Sequence, residues 1–140
     1  MYDILTFEQV RPLIDWNGNE CCGFIISRSL PTVAIWPVPS LKPSEDSYSI
    51  GHKAWQEAQT RAKREGYVIL GTIHTHPNGP EGPSEKDLEI ASHLRNSEIR
   101  MVWHPLSSVL TIYDKSGIIQ TNHVEVPRWF KEEARLIFLD

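Results

Sequence analysis

Residues 67–75 read YVILGTIHT, a run in which apolar side chains occupy both odd and even positions. A strand with one solvent face alternates apolar and polar residues, whereas a strand that is buried on both faces does not. This run therefore predicts a central strand with a layer of structure on each side. A fold for the chain must supply helices or loops to cover both faces of that strand.

The remaining elements are predicted from apolar periodicity and from the turn residues between the apolar runs. The predicted helices span residues 6–16, 52–65, 84–96 and 127–139. We expect Pro12 to shorten or kink the first of them. The further predicted strands span residues 20–27, 32–38, 47–50 (a short edge strand), 99–103, 109–114 and 117–126. Helices mixed with a largely antiparallel sheet predict an α/β (α+β) fold around one core.

The composition favours one domain and argues against several classes of function. With 140 residues, of which 40% are apolar and 23% charged, residues 1–140 are predicted to form a single domain. A net charge of −4 and a pI near 5.8 argue against a nucleic-acid-binding surface. No run approaches the roughly 18 apolar residues of a membrane span, and the first residues do not resemble a secretory signal. The adjacent Cys21 and Cys22 could form only a strained disulfide, which favours a reducing compartment such as the cytoplasm.

Two histidines, His74 and His76, end the central run in the sequence HTH. Because side chains alternate along a strand, both point to the same face, about 6.5 to 7 Å apart along the chain. That separation allows both imidazoles to reach one metal ion. The simpler interpretation is a pair of solvated or hydrogen-bonded histidines at a strand end, and the HTH sequence alone favours it.

A carboxylate on the following helix favours the metal site instead. When residues are placed at 100° per residue around this helix, Asp87 falls near the middle of an apolar arc. The residues that form the arc are Leu88, Ile90, Ala91 and Leu94. A carboxylate that faces the core is costly unless a positive charge meets it, and a metal ion bound by His74 and His76 would supply that charge. Two imidazoles and a carboxylate, with a fourth position open to water, form the ligand set of a catalytic zinc site.

Ser84 has two possible roles at the start of this helix. It has an acidic residue three positions later, which is typical of an N-cap residue. It also lies on the same face as Asp87, so its hydroxyl is a candidate for stabilising an oxyanion beside the metal. The two roles are compatible, and the sequence leaves both open. The preceding PNGPEGP loop is either a rigid surface loop or the rim of a substrate site.

The sequence HTH, a gap of seven residues and then SEKD resembles the JAMM motif of the MPN+ metalloproteases, the JAB family. That family also has a glutamate at an upstream strand, commonly followed by a cysteine, a glycine and apolar residues. The corresponding segment here is ECCGFI, which begins at Glu20. The resemblance extends from Glu20 to about Tyr113, and the motif residues occur in the expected order.

The resemblance implies a role for each motif residue. His74, His76 and Asp87 would bind one zinc ion (Zn²⁺) per chain. Glu20 would take a proton from the attacking water and pass it to the leaving amine, as general base and then general acid. Ser84 would steady the tetrahedral intermediate. The implied fold is a single MPN/JAB-like domain of the cytidine-deaminase-like type, with a mixed, largely antiparallel sheet flanked by helices.

The resemblance also implies a function. The chain would be a zinc metallopeptidase or isopeptidase that cleaves a peptide or isopeptide bond at the extended tail of a ubiquitin-like or other small protein. The ECCG run, the HTHPNGP loop and the short length are most similar to bacterial and phage members, including phage tail-assembly proteins. The expected partner is a protein or peptide substrate, such as a ubiquitin-like protein or a phage tail protein, with no nucleic acid and no membrane. The expected location is the cytoplasm of a bacterial or phage-infected cell, or the virion.

Three alternative functions fit the sequence less well. A zinc deaminase needs H-x-E and P-C-x-x-C, but the chain has His76 in place of the glutamate and no such cysteine pair. A cysteine protease would use Cys21 or Cys22, although cysteines on an apolar strand are usually buried and inert. The third is a scaffold or virion-assembly module that keeps a structural metal site.

Four histidines lie outside the motif. We predict surface or structural positions for His52, His93, His104 and His123. Trp103 and His104 end a predicted strand and are expected to border the cleft.

Overall fold

The computed structural model describes residues 1–15, 17–41 and 48–138. Within them, six strands form one sheet in the order β2-β1-β3-β4-β5-β6. The strands are β1 (Cys22–Ser29), β2 (Thr32–Val38), β3 (Val68–Thr75), β4 (Ile99–His104), β5 (Val109–Asp114) and β6 (Gly117–His123). Only β3 and β4 are parallel among these neighbouring strands, so the sheet is mixed and largely antiparallel, as predicted.

The central strand is β3, which lies between β1 and β4. Its second half is buried, but Val68 at its start is exposed, so the predicted burial on both faces holds only toward the end of the strand. A side chain on Gly71 would overlap the carbonyl oxygen of Ile99, so glycine allows β4 to pair closely here. The register with β1 pairs Cys22 with His74, which brings the segment before β1 next to the end of β3.

Different helices cover the two faces of the sheet. The helices are α1 (Phe7–Val10), α2 (His52–Glu65), α3 (Glu85–Ala91) and α4 (Arg128–Phe138). Residues of α1 and α4 join the largest core, on the face to which Ile73 points. Residues of α2 and α3 pack on the opposite face, to which His74 points. Among the helices of the described residues, none has the length and apolar character needed to cross a bilayer.

Two of the predicted helices are shorter than expected. α2 spans its predicted residues and ends at Gly66, whose left-handed conformation (φ 78°) terminates it. α1 gives way at residue 11 to a 3-10 turn that contains Pro12, which confirms the expected shortening. α3 ends at Ala91 and not at residue 96, and its C-cap residue is Ser92, whose hydroxyl donates to the carbonyl of Glu89 at 2.6 Å. Residues 16 and 139, the last of two predicted helices, lie outside the described residues.

The strands agree closely with their predicted bounds. β2 and β5 match, and β3 and β4 differ by one residue. β1 begins at Cys22, so Glu20 precedes the strand and does not open it. β6 ends at His123, three residues before the predicted end at residue 126.

The predicted edge strand over residues 47–50 is wrong for residues 48–50, which form no strand. The backbone of Ser49 bonds to residues 40 and 41 of its own loop, so it has no strand partner there. Residue 47 lies outside the described residues.

Candidate metal centre

His74 and His76 converge at the end of β3. His74 is the second-last residue of the strand and His76 follows it, and both side chains are buried. Their Nε2 atoms lie 3.1 Å apart, and the ring planes are inclined by 68°. The two nitrogens therefore face a common point, as the alternation along the strand predicted.

The third side chain comes from the first turn of α3. Asp87 Oδ2 lies 3.1 Å from Nε2 of His76 and 3.4 Å from Nε2 of His74. The same oxygen accepts a hydrogen bond from the backbone N–H of Ser84 at 2.9 Å, while Ser84 Oγ accepts one from the backbone N–H of Asp87 at 3.1 Å. Ser84 is therefore an N-cap residue, and this reciprocal capping box holds the aspartate against the histidines.

The apolar arc that pointed to Asp87 is only partly buried. Ala91 is buried and Leu94 is half-buried, but Leu88 and Ile90 are 37% and 48% exposed. The predicted arc is therefore wrong in two of its four members, because α3 has only seven residues and covers the sheet with one side. Asp87 reaches the histidines because the capping box places it at the start of the helix.

The spacing of the three converging atoms fits a tetrahedral metal ion. Bonds of about 2.0 to 2.1 Å from zinc place its ligand atoms about 3.3 to 3.4 Å apart. The corresponding distances among His74, His76 and Asp87 are 3.1, 3.1 and 3.4 Å. His76 Nδ1 donates to the carbonyl oxygen of Pro80 at 3.0 Å, so the lone pair of Nε2 in the neutral ring faces the other two atoms. A cation between these atoms would offset the repulsion of their lone pairs.

Glu20 brings a second carboxylate to the histidines. The N–H of Cys21 donates to Thr75 Oγ1 at 2.8 Å, and the N–H of Thr75 donates to the carbonyl of Cys21 at 2.9 Å. These bonds fix the segment before β1 beside the end of β3. Glu20 is buried, and one ligand atom from each of Glu20, His74 and His76 lies within 4.8 Å of the other two. This group could hold a metal ion, and with Asp87 present one carboxylate can complete the ligand set while the other remains available for proton transfer.

The charges at this centre suit metal ligation. Burial acts to raise the pKa of Asp87, but the hydrogen bonds with His74 and His76 outweigh burial and hold that pKa well below its usual value. Burial lowers the pKa of His74, against the opposing effect of Asp87. Burial also acts to lower the pKa of His76, but its bonds to Asp87 and to the carbonyl of Pro80 raise it. Ionised Asp87 and neutral His74 are already in the protonation state that ligation requires, whereas His76, whose bonds to Asp87 and Pro80 favour the protonated ring, must release a proton when a metal binds.

A third imidazole supports the loop between β3 and α3. His104, the last residue of β4, donates from Nε2 to the carbonyl oxygen of Gly79 at 3.2 Å and accepts at Nδ1 from the N–H of Ser107 at 3.2 Å. Burial lowers the pKa of His104, so the neutral ring keeps both bonds. His104 is therefore structural, as predicted, and it fixes the loop whose Pro80 carbonyl orients His76.

The other residues predicted near the strand end have different positions. Trp103 is fully buried in the core on the opposite face, so the expectation that it borders the cleft is wrong. The physical reason is the alternation along β4, which turns Trp103 away from the face that carries His74. The three remaining histidines are exposed, and they are His52, His93 and His123.

A cleft of about 370 Å³ adjoins the centre. Four of the five predicted site residues line it, and these are Glu20, His76, Ser84 and Asp87. His74 lies behind them and is fully buried. Three further residues of the wall were not predicted from the sequence, and these are Tyr48, Arg100 and Tyr113. The only local indication of this part of the wall was an arginine within a predicted strand. Its place on the cleft face follows from the strand register, which pairs Arg100 with Tyr113.

The two cysteines lack the features of a catalytic thiol. Cys22 is buried and Cys21 is half-buried. Burial raises the pKa of each thiol to about 11. Because the thiolate is the nucleophile, neither cysteine is activated at neutral pH. This observation disfavours the cysteine-protease alternative.

Comparison with known protein families matches residues 8–125 to Prok-JAB, described as prokaryotic homologs of the JAB domain. No curated protein matches the chain at a significant level. Among solved structures, the solution structure of a protein from Desulfitobacterium hafniense is similar, with a TM-score of 0.63 and 20% identity. That similarity covers 87% of this chain and 90% of the other.

Two further solved structures are similar. A solution structure of a protein from Salinibacter ruber has a TM-score of 0.50 and 17% identity, over 78% of each chain. A crystal structure of a JAB1/MPN domain protein from Archaeoglobus fulgidus has a TM-score of 0.48 and 16% identity, over 85% of this chain and 90% of the other. Sequence identities of 20% or less support only a shared fold. The family model, in contrast, matches most of the chain and supports membership of the family. The chain therefore belongs to the prokaryotic homologues of the JAB domain, as a single JAB/MPN-like domain in which helices flank a mixed six-stranded sheet.

Proposed function

We propose that the chain is a zinc metallopeptidase or isopeptidase, a hydrolase that cleaves a peptide or isopeptide bond in a protein substrate. The observation that carries the proposal is the convergence of two imidazole nitrogens and a carboxylate oxygen, 3.1 to 3.4 Å apart, beside a second buried carboxylate. Structural zinc sites have four protein ligands, whereas catalytic sites have three and keep one position open. Three side chains next to a cleft support a site of the second kind.

In this proposal His74, His76 and Asp87 hold one zinc ion per chain. When bound, zinc lowers the pKa of a water molecule to about 7 and polarises the scissile carbonyl group. The protein keeps the ligands in place through hydrogen bonds outside the centre, because Pro80 orients His76 and the backbone of Ser84 orients Asp87.

Glu20 and Ser84 carry the remaining steps. The Glu20 carboxylate removes a proton from the attacking water and delivers it to the nitrogen of the leaving group, which then departs as an amine. Ser84 Oγ accepts the N–H of Asp87 and still has its own hydrogen to donate, so it stabilises the oxyanion that forms on the carbonyl oxygen. Capping the helix and stabilising the oxyanion therefore use different parts of one hydroxyl.

The substrate in this proposal is the extended tail of a ubiquitin-like or other small protein, with a phage tail protein as a further possible partner. Bulky side chains line the cleft, and they include Tyr48, Ile90 and Tyr113. A narrow segment with small side chains fits such a cleft better than a folded surface does. In this proposal the protein acts in the cytoplasm.

Zinc content and turnover, measured on one preparation, test the proposal. After purification without chelator we expect about one zinc ion per chain. We also expect cleavage of glycine-rich or isopeptide-linked peptides, which a chelator abolishes and added zinc restores. A preparation that neither contains nor binds zinc contradicts the site. A chain that binds zinc but cleaves no member of such a panel supports the scaffold alternative instead.

A further inference from the structure

A fixed positive charge lines the cleft beside the metal centre. Arg100 lies in β4, where it pairs with Thr72 of β3, and Val102 two residues later pairs with His74. Residues two apart on a strand share a face, and neighbouring strands are about 4.8 Å apart. The Cα atoms of Arg100 and His74 are therefore separated by about 8 Å, and the guanidinium side chain borders the cleft.

The hydrogen-bonding capacity of Arg100 is largely unused within the described residues. A guanidinium group has five N–H donors. Nη1 donates to Tyr48 Oη at 3.3 Å, and Nε is buried with no hydrogen-bond partner in the described part of the chain. Nη2 lies 3.8 Å from Glu98 Oε2, which is a long ion pair and not a hydrogen bond. The guanidinium can therefore still donate hydrogen bonds to an acidic ligand.

The Arg100 guanidinium is partly shielded from solvent and shares the cleft wall with two tyrosines. Its side chain is 19% exposed, so solvent screens the charge only in part. Two tyrosines line the same cleft: Tyr48 accepts a hydrogen bond from the guanidinium, and Tyr113 pairs with Arg100 across β4 and β5. The planar fork of arginine matches a carboxylate in a bidentate arrangement. The other cationic residue in the wall, Lys86, is exposed on the first turn of α3.

We propose that Arg100 binds the terminal carboxylate of the substrate, on the leaving-group side of the scissile bond. A residue in an extended chain spans about 3.3 to 3.6 Å, so a carboxylate one or two residues beyond the scissile bond reaches Arg100 from the metal centre. The preferred substrate is then a peptide with a free carboxyl end, from which one or two residues are removed. This inference rests on the proposed function and narrows it, because an internal isopeptide linkage offers no carboxylate at this position.

Paired peptides test the inference. Short glycine-rich peptides are made with a free carboxyl end and, in the same sequence, with a carboxamide end. For the unmodified chain we expect kcat/KM for the acid to exceed that for the amide by roughly 10- to 100-fold, the scale of hydrogen bonds to a charged group. Arg100→Gln should bring the ratio of the two values close to 1. Arg100→Lys should retain part of the preference, because it keeps the charge but not the fork.

Glu98→Gln is the matched control, since it removes the neighbouring charge and leaves Arg100 in place. It should keep or increase the preference for the acid. Zinc content and thermal unfolding, measured on every variant, show whether the fold and the metal centre are intact. Binding of both peptides to the unmodified chain, measured by calorimetry, provides a readout that does not depend on turnover.

The outcomes separate this inference from the proposed function. Equal use and equal binding of acid and amide by the unmodified chain would overturn the role of Arg100, as would an Arg100→Gln chain that keeps the preference. A loss of preference alone, with zinc and turnover intact, leaves the peptidase proposal standing. Tighter binding of the acid through Arg100 in a chain without hydrolysis would support the anion site and contradict the peptidase.

Discussion

The ring of Tyr48 lies stacked on the ring of His74, with centroids 4.6 Å apart and planes inclined by 20°. Histidines that bind metals usually donate their second N–H to a hydrogen-bond acceptor, which fixes the ring. His76 follows this rule through Pro80. The Nδ1 atom of His74 is buried and has no hydrogen-bond partner among the described residues. Stacking on Tyr48 therefore replaces a hydrogen bond as the contact that orients His74.

Replacing Tyr48 tests this contact through metal affinity. Tyr48→Leu removes the ring, and we expect zinc binding to weaken by roughly 10- to 100-fold, the scale of losing an outer contact to a ligand. Tyr48→Phe keeps the ring and loses only the hydroxyl, which interacts with Arg100 and Thr72, so its zinc affinity should stay near that of the unmodified chain. Competition with a coloured chelator measures both values. Equal weakening in the two variants would assign the effect to the hydroxyl group and contradict the stacking role.

Asp87 and Glu85 form a matched pair on one turn of α3. Both are acidic residues of the first turn, but Glu85 is exposed, whereas Asp87 contacts both histidines. Asp87→Ala should lose most of the bound zinc, and Glu85→Ala should keep it. The fold of Asp87→Ala should remain largely intact but less stable, because the change removes the desolvation cost of a partly buried carboxylate together with its capping bond from the N–H of Ser84. Elemental analysis measures the zinc content of both variants, and circular dichroism measures their folding. An Asp87→Ala chain that still contains zinc would show that Asp87 is not a ligand.

The thiols of Cys21 and Cys22 should react slowly with alkylating reagents. A pKa of about 11 leaves about 0.1% of each thiol ionised at pH 8, compared with about a quarter for an ordinary cysteine. Alkylation of the folded chain should therefore be about 250-fold slower than that of the unfolded chain, and its rate should keep rising beyond pH 9. Rapid modification of the folded chain at pH 8, together with loss of turnover, would support the cysteine-protease alternative.

Features with local signals were predictable from the sequence. α2 and its end at Gly66 follow from helical spacing and a glycine that adopts the left-handed conformation. Ser84 and Asp87 are also placed by local bonds, since the capping box joins residues three apart. This explains how Asp87 meets the histidines although the apolar arc used to select it is half exposed. The end of α3 at Ala91, in contrast, is not marked by a glycine or proline in the following residues of the sequence.

Features that depend on pairing between distant strands were not predictable. Arg100 faces the cleft because β4 runs parallel to β3 in the register that pairs it with Thr72. Tyr48 reaches His74 from a loop, although its segment was predicted to be a strand. A single sequence does not specify register or the path of a loop, so both residues required the structure.

Replacing Glu20 separates catalysis from metal binding. Glu20→Gln is nearly isosteric and leaves His74, His76 and Asp87 untouched, so it should keep about one zinc ion per chain. Turnover should fall by about 100-fold or more, because the amide cannot accept a proton from the attacking water. Glu81→Gln, an exposed change in the loop between β3 and α3, is the control and should keep both zinc and turnover.

Zinc and turnover measured together on Glu20→Gln distinguish three descriptions of the site. Retained zinc with lost turnover is the result expected of a general base, and substrate binding should then survive because only proton transfer is removed. Lost zinc would make Glu20 a ligand, in agreement with its position beside the imidazoles, and Asp87 would then take the catalytic role. Unchanged zinc with no hydrolysis in either chain is the result expected of a scaffold, in which the buried carboxylate serves only the stability of the centre.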